Sequence, residues 1–355
     1  MENLRKARRF EISLMNAALC MLVIFIHVTS RPLSAFKVES NQYALLMLPW
    51  RLSAFAVQGF IFLSGLKLFL NMNDFKYGKF LLKRARSVVL PYVVWVLIYY
   101  FYFLWQNYPD MEAAKIPGYI LRGNLASHFY FIIAIVQFYV LAPVWVKLFQ
   151  KVNSAVLLVF SLMVMIILGQ NLPDLIDVFV PDYYFNYTDR IFTTYIFYFI
   201  AGCCAGLNYD KFKEILQKNR LTITLMFVFS TALNGYLSFL SFTQRKHIYF
   251  LENIHILYCI SAILFFFMIT YGFMEEKQSK LAVKTVKAID RVSYAIYLSH
   301  CLVIFALDDL VMHRINVSPQ QSYAIRIFVV YAVVLTCALL WGKLKRSFPI
   351  LNNLR

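Results

Sequence analysis

Ten apolar runs separated by short loops constrain this chain more than any other feature. They fall at roughly 12–30, 44–70, 88–105, 129–147, 155–171, 191–207, 221–240, 254–274, 290–307 and 323–342. A helix rises about 1.5 Å per residue, so about 20 apolar residues cross the roughly 30 Å of hydrocarbon in a bilayer. Composition agrees: 61% of residues are hydrophobic, 15% are charged and mean hydropathy is +0.63. A soluble domain is usually about half apolar and a quarter charged. The expectation is an all-α fold, a polytopic transmembrane helix bundle of about ten membrane-spanning helices, forming a single integral membrane domain over 1–355.

The loops fix an orientation. The N-terminus, 71–87, 147–154, 208–220, 275–291 and the C-terminal tail together hold 24 of the 35 lysines and arginines. Basic loops stay on the cytoplasmic side, so both termini are predicted to be cytoplasmic. The first run follows Arg5, Lys6, Arg8 and Arg9 but ends in Ser30-Arg31-Pro32, without a small-residue cleavage pattern, and reads as a retained helix. Net charge +17 is spread through these loops, which argues against nucleic acid as a partner. All six cysteines fall inside apolar runs, with neither metal-ligand spacing nor a disulfide framework. Glycine is scarce, at 11 residues, and no internal repeat is visible. The usual sequence pointer to a secondary transporter is therefore missing.

An ionisable side chain inside a membrane helix is costly and reads first as functional. His27 lies near the outer end of the first run, and histidine titrates near neutrality, which suits proton transfer. Asn16, Cys20 and His27 share one stripe at about 100° per residue, with Asn16 and His27 about 16 Å apart along the axis. The other histidines, His128, His247, His255, His300 and His313, also fall in the outer half or outside. Arg51 enters the second run from the outer side, suited to an oxyanion or an acidic acceptor, or simply to snorkelling. Lys83, Arg84 and Arg86 sit at the cytoplasmic mouth of the third run, where they either bind phosphates or anchor the helix. The outer segment 170–190 carries Asp174, Asp177, Asp182 and Asp189 with Tyr183, Tyr184 and Tyr187, a pattern that fits an interfacial belt or sugar binding.

Five stretches in order resemble acyltransferase family 3, the multi-pass bacterial membrane O-acyltransferases. The first is Glu11 and His27, spaced as Glu-x4-[Arg]-x10-His, and the second is Phe60-Ile-Phe-Leu-Ser-Gly65. The third runs from Phe80 to Trp95, and the fourth is His128-Phe-Tyr-Phe131 followed by Gln137-Phe-Tyr-Val-Leu-Ala-Pro143. Ser293-Tyr-Ala-Ile-Tyr-Leu-Ser-His300 is the fifth, and the resemblance covers about 10–345. The helix 3 entry and Ile196–Asp210 resemble the IcaC-like branch, linked to poly-N-acetylglucosamine intercellular adhesin, whose members are assigned export or O-succinylation.

This resemblance implies transfer of an acyl group, with acetyl the expected one, from acyl-CoA as co-substrate to a hydroxyl of a cell-surface glycan. It also implies residence in a bacterial cytoplasmic membrane. His27 takes the place of the essential first-helix histidine and acts as catalytic base; Arg84 takes that of the helix 3 arginine. The family's helix 1 arginine is Asn16 here, and its second helix 3 arginine is Ser87, with Arg86 displaced by one position. Lys83, Arg84, Arg86 and Asn16 are the expected donor-binding residues; Arg51, His128, His300, Tyr297 and Ser293 are candidates for acceptor or oxyanion contacts. No metal and no permanently bound cofactor is expected. The partners are the donor, the carbohydrate acceptor, membrane lipid and a glycan synthase. The rival reading is an exporter or flippase of a cell-surface polysaccharide, without covalent chemistry.

Overall fold

The computed structural model describes residues 9–70, 72, 75–180, 185–273 and 277–347. Among them the regular secondary structure is helical throughout. Seven helices are long and apolar enough to cross a membrane, and up to nine if each of two bent pairs is one span. The pairs are Ala113–Arg122 with Ser127–Val140, bent by 46°, and Ser154–Gly169 with Asn171–Phe179, bent by 64°. Phe192–Leu207 is a shorter apolar helix. The ten apolar runs of the sequence therefore each have a helical counterpart, though not all are straight spans. The chain is a multi-pass helical membrane protein.

Local chemistry sets the breaks. Helix α1 (Phe10–Ala35) is 26 residues long and tolerates Pro32 in its last turns. Helix α2 (Asn41–Ser53) starts at Ser40, whose hydroxyl accepts the Tyr43 N–H, an N-cap that satisfies one orphan donor. A turn at Ala54 separates it from α3 (Phe55–Phe69). Helix α4 (Tyr77–Arg84) passes through a π-turn at Ala85–Val89 into α5 (Leu90–Trp105), with the Leu90 N–H donating to the Ala85 carbonyl. Then come α6 (Ile116–Arg122), α7 (Tyr130–Val140), α8 (Ala142–Lys151), α9 (Ser154–Phe179) and α10 (Ile196–Leu207). The chain continues through α11 (Tyr209–Lys218), α12 (Arg220–Gln244), α13 (Leu251–Gly272), α14 (Lys280–Leu310) and α15 (Pro319–Ser347).

These helices form two compact units. The first holds the chain up to Phe60 together with Asn208–Ser347; the second holds Ile61–Leu207. In the first, α1, α14 and α15 enclose an apolar core that includes Ile24, Val28, Ile296, Ile304, Val330 and Val334. Helices α12 and α13 pack beside α2, with Phe227 stacked on Phe265 at 4.1 Å. In the second unit α3 and α10 approach without side chains between them. A methyl added to Gly202 would lie 2.0 Å from the Phe62 carbonyl oxygen, and one on Gly206 2.4 Å from that of Leu66. Small residues four apart let membrane helices approach this closely. Apolar side chains cover outward faces too: Val159, Phe160 and Met163 on α9, and Leu225, Val228 and Phe229 on α12, are exposed, as lipid-facing helices require.

Candidate functional site

Helices α1 and α14 run parallel and carry their polar groups toward one another. At one end the Ser13 hydroxyl donates to Asp290 Oδ2 at 2.9 Å and Asn16 Nδ2 donates to Asp290 Oδ1 at 2.8 Å. Asn16 also donates to Ser293 Oγ at 3.0 Å, and Cys20 Sγ approaches the Ser293 carbonyl at 3.7 Å. Ser13, Asn16 and Asp290 are all buried. A carboxylate taken out of water needs such donors on each oxygen. Just outside the spans, the Tyr209 phenol donates to Glu11 Oε1 at 2.7 Å. Burial, reinforced by that carboxylate, pushes the phenol's pKa up, so Tyr209 stays neutral.

His27 and His300 meet farther along the same seam. Their ring centroids are 5.0 Å apart and their planes inclined by 53°. His300 is fully buried, while His27 keeps partial exposure. The Nδ1 of His300 lies 2.7 Å from the Tyr297 carbonyl oxygen and 3.2 Å from that of Ile296. A carbonyl only accepts, so Nδ1 carries the proton and Nε2 keeps its lone pair. That nitrogen lies 3.3 Å from Cys301 Sγ. His27, His300 and Cys301 offer ligand atoms within 4.8 Å of one another, a grouping that could hold a transition metal and that sequence spacing does not reveal. Beyond them, one turn past His27 on α1, Arg31 pairs with buried Asp308 of α14, which Arg326 of α15 also grips.

The remaining candidates lie elsewhere. Tyr297 contributes its carbonyl to His300, with its ring 6.0 Å away, and Ser293 belongs to the Asn16–Asp290 group. Arg51 pairs with Glu252 of α13 at 2.8 Å and lies over the Phe242 ring. His128 belongs to the second unit, buried between the rings of Tyr99 and Phe129. So do Lys83, Arg84 and Arg86. Lys83 and Arg86 are exposed, whereas Arg84 is half-buried, its guanidinium 4.6 Å from the centre of the Tyr139 ring and 5.2 Å from that of Phe80. The Arg84 Nε–H is buried without an acceptor among the described residues. The π-turn follows it directly, and such turns are frequent at functional sites.

Sequence reasoning passed over Asp290, Asp308 and Arg326. Two carboxylates within or bordering a long apolar run were a usable signal, since ionisable groups at that depth are rare. Of the outer acidic segment, Asp182, Tyr183 and Tyr184 lie outside the described residues, and Asp189 pairs with Arg190.

A multi-pass helical protein with paired imidazoles between two parallel helices defines the class. The chain belongs to acyltransferase family 3: the family's profile, described as an acyltransferase domain, matches residues 10–342. A Staphylococcus epidermidis relative named "Probable poly-beta-1,6-N-acetyl-D-glucosamine export protein" is 25% identical over 309 residues, 85% of this chain and 83% of the relative. Proteins of the same name from Staphylococcus aureus are 25% identical over 313 residues in strain MRSA252 and 26% over 317 in strain Mu50, each covering 85% of this chain and 84% of its own length. No solved structure matches.

Proposed function

We propose that the chain is a membrane O-acyltransferase of the bacterial cytoplasmic membrane. It moves an acyl group, acetyl in the simplest case, from a cytoplasmic acyl-CoA to a hydroxyl of an extracytoplasmic polysaccharide. Both termini face the cytoplasm. The observation that carries this reading is the His27–His300 pair, in which the inner ring is locked as its Nδ1–H tautomer and leaves Nε2 as an acceptor. His27 is the base. As the acceptor oxygen attacks the thioester carbonyl, His27 takes its proton, the new C–O bond forms, and the C–S bond of the tetrahedral intermediate breaks. The leaving thiolate then collects that proton, giving an ester and a free thiol. His300 orients His27 and stabilises its charged form through Nε2. Arg84, with Lys83 and Arg86, holds the phosphates of the donor.

The relatives' names favour a second reading, export of poly-N-acetylglucosamine without covalent chemistry. The deciding experiment follows label from acyl-CoA into glycan in membranes holding wild-type or His27→Ala protein. Transfer by the wild type, lost in the variant while glycan still reaches the surface, supports the enzyme. Unmodified glycan retained inside the variant cells supports the exporter.

A further inference from the structure

Away from the imidazole pair, the first unit contains a corner where buried polar atoms from three helices lack partners among the described residues. On α12, Asn234 is fully buried with neither Nδ2 nor Oδ1 engaged, and Ser238, one turn on, is fully buried with its hydroxyl unpaired. Thr231 Oγ1, one turn before Asn234, is likewise unengaged. On α13, His255 is buried, with its Nε2 3.5 Å from Cys259 Sγ and its Nδ1 unengaged. On α2, the Arg51 Nε is buried and unengaged, though its Nη2 pairs with Glu252, three residues before His255.

Contacts tie the three helices together around these groups. The Tyr258 hydroxyl of α13 donates to the Leu52 carbonyl of α2 at 2.6 Å, and the hydroxyls of Ser230 and Ser261 join α12 to α13 at 2.6 Å. Gly235 of α12 faces Leu48 of α2. Asn234 and Ser238 fall on the α12 surface between those two contacts, at about 100° per residue. Unpaired polar atoms inside a membrane domain cost about 1–3 kcal/mol each, so a group of them is a place where a polar occupant would be stabilised.

We propose that this corner between α2, α12 and α13 is a binding subsite for an uncharged, hydroxyl-rich ligand, the chemical class of a glycan acceptor. The unpaired set mixes donors (Arg51 Nε, Asn234 Nδ2) with an acceptor (Asn234 Oδ1) and a hydroxyl that serves as either (Ser238), which matches sugar hydroxyls. Glu252 neutralises the Arg51 charge, which disfavours an anion. The rings of Phe242, beneath Arg51, and Tyr258, beside His255, supply apolar walls. Helix α2 joins this corner to the His27 end of α1, because Trp50, next to Arg51, donates to Ser30 Oγ at 3.1 Å. The identity of the ligand rests on the function proposed above; the existence of the subsite does not.

The test is binding of an N-acetylglucosamine oligomer to the full chain in lipid nanodiscs, by calorimetry, for wild type and for Asn234→Leu/Ser238→Ala. The variant is expected to bind about tenfold more weakly, the loss of one to two hydrogen bonds, while its melting temperature without ligand holds or rises because unpaired groups have left the interior. Affinity within about twofold of wild type, or no binding by the wild type, overturns the subsite and leaves water as the occupant. His27→Ala separates the two claims. If that variant loses acyl transfer while Asn234→Leu/Ser238→Ala keeps full binding, the subsite falls and the enzyme stands. If the wild type transfers nothing yet the double variant binds weakly, the subsite stands and the enzyme falls.

Discussion

His300 is defined by its backbone. Its Nδ1–H is spent on the carbonyls of Tyr297 and Ile296, so its remaining nitrogen can only accept. Replacing it with phenylalanine keeps volume and removes the acceptor. His300→Phe is expected to lower kcat by about ten- to a hundredfold with KM little changed, and to shift the pH limb that reports His27, whereas His27→Ala costs about 10² to 10⁴-fold. Steady-state kinetics across pH separates the two. Asn16 raises a different question, because the family pattern places an arginine there. In this chain it donates to Asp290 and Ser293. An arginine at that position would meet the same carboxylate, which points to Asp290 as the group that either residue serves. Asn16→Leu should therefore destabilise by about 1–3 kcal/mol, by leaving a carboxylate oxygen unpaired, while Asn16→Arg should keep a melting temperature near wild type in detergent. Equal destabilisation by both would remove Asp290 from that role. His27 was legible from sequence because a single imidazole stands out on an apolar helix. Its partner was not, since nothing in a linear pattern says which of five other histidines, 273 positions away in the case of His300, packs against it.

Two stretches that carry the family likeness turn out to meet each other. Phe60–Gly65 in α3 and Gly202-Cys-Cys-Ala-Gly206 in α10 are the two sides of one close helix contact, with a Gly65 methyl falling 2.2 Å from the Phe199 carbonyl. Backbone cannot yield as a side chain can. Gly202→Ala is expected to force α3 and α10 apart and to cost about 1–3 kcal/mol, read as lost folded yield by size-exclusion of solubilised protein. Gly78→Ala, with nothing within 4 Å of the added methyl, is the matched control. Helix existence was readable from hydropathy, since each apolar run has its helix. The breaks were not. The turn at Ala54 lacks a proline or glycine of its own, and the π-turn over Ala85–Val89 occurs in a stretch whose hydropathy pattern continues unbroken into α5. At about 100° per residue Thr231, Asn234 and Ser238 fall on one stripe of α12, but serine and threonine are common in membrane helices, so sequence alone does not single that stripe out.

For the whole molecule, the packing of α1 on α14 restricts how many times the chain can cross the membrane. Ser13 bonds Asp290 at one end and Arg31 pairs with Asp308 at the other, so the two helices point the same way. Helix α15 opposes α1, with Thr29 near Tyr323 and the Tyr331 hydroxyl on the Met21 carbonyl. If α1 leaves the cytoplasm, α14 leaves it too, which requires an odd number of crossings between them. Four of those count as single spans: Asn41–Phe69, Tyr77–Trp105, Arg220–Gln244 and Leu251–Gly272. An odd total then needs one or all three of the two bent pairs and Phe192–Leu207. With all three the chain makes ten crossings, and the acidic segment between α9 and α10 lies outside; with only the first bent pair it makes eight, and that segment lies inside. In both arrangements the basic α11, where Lys213 holds the exposed Asp210 carboxyl below its usual range, is cytoplasmic, so the side on which the acidic segment lies is what separates ten crossings from eight. A single cysteine at the exposed position of Asp177, in a background lacking the native six, should react with a membrane-impermeant maleimide added to intact cells. Protection until the cells are opened would fix eight crossings instead, and would put the acidic end of α9 on the cytoplasmic side.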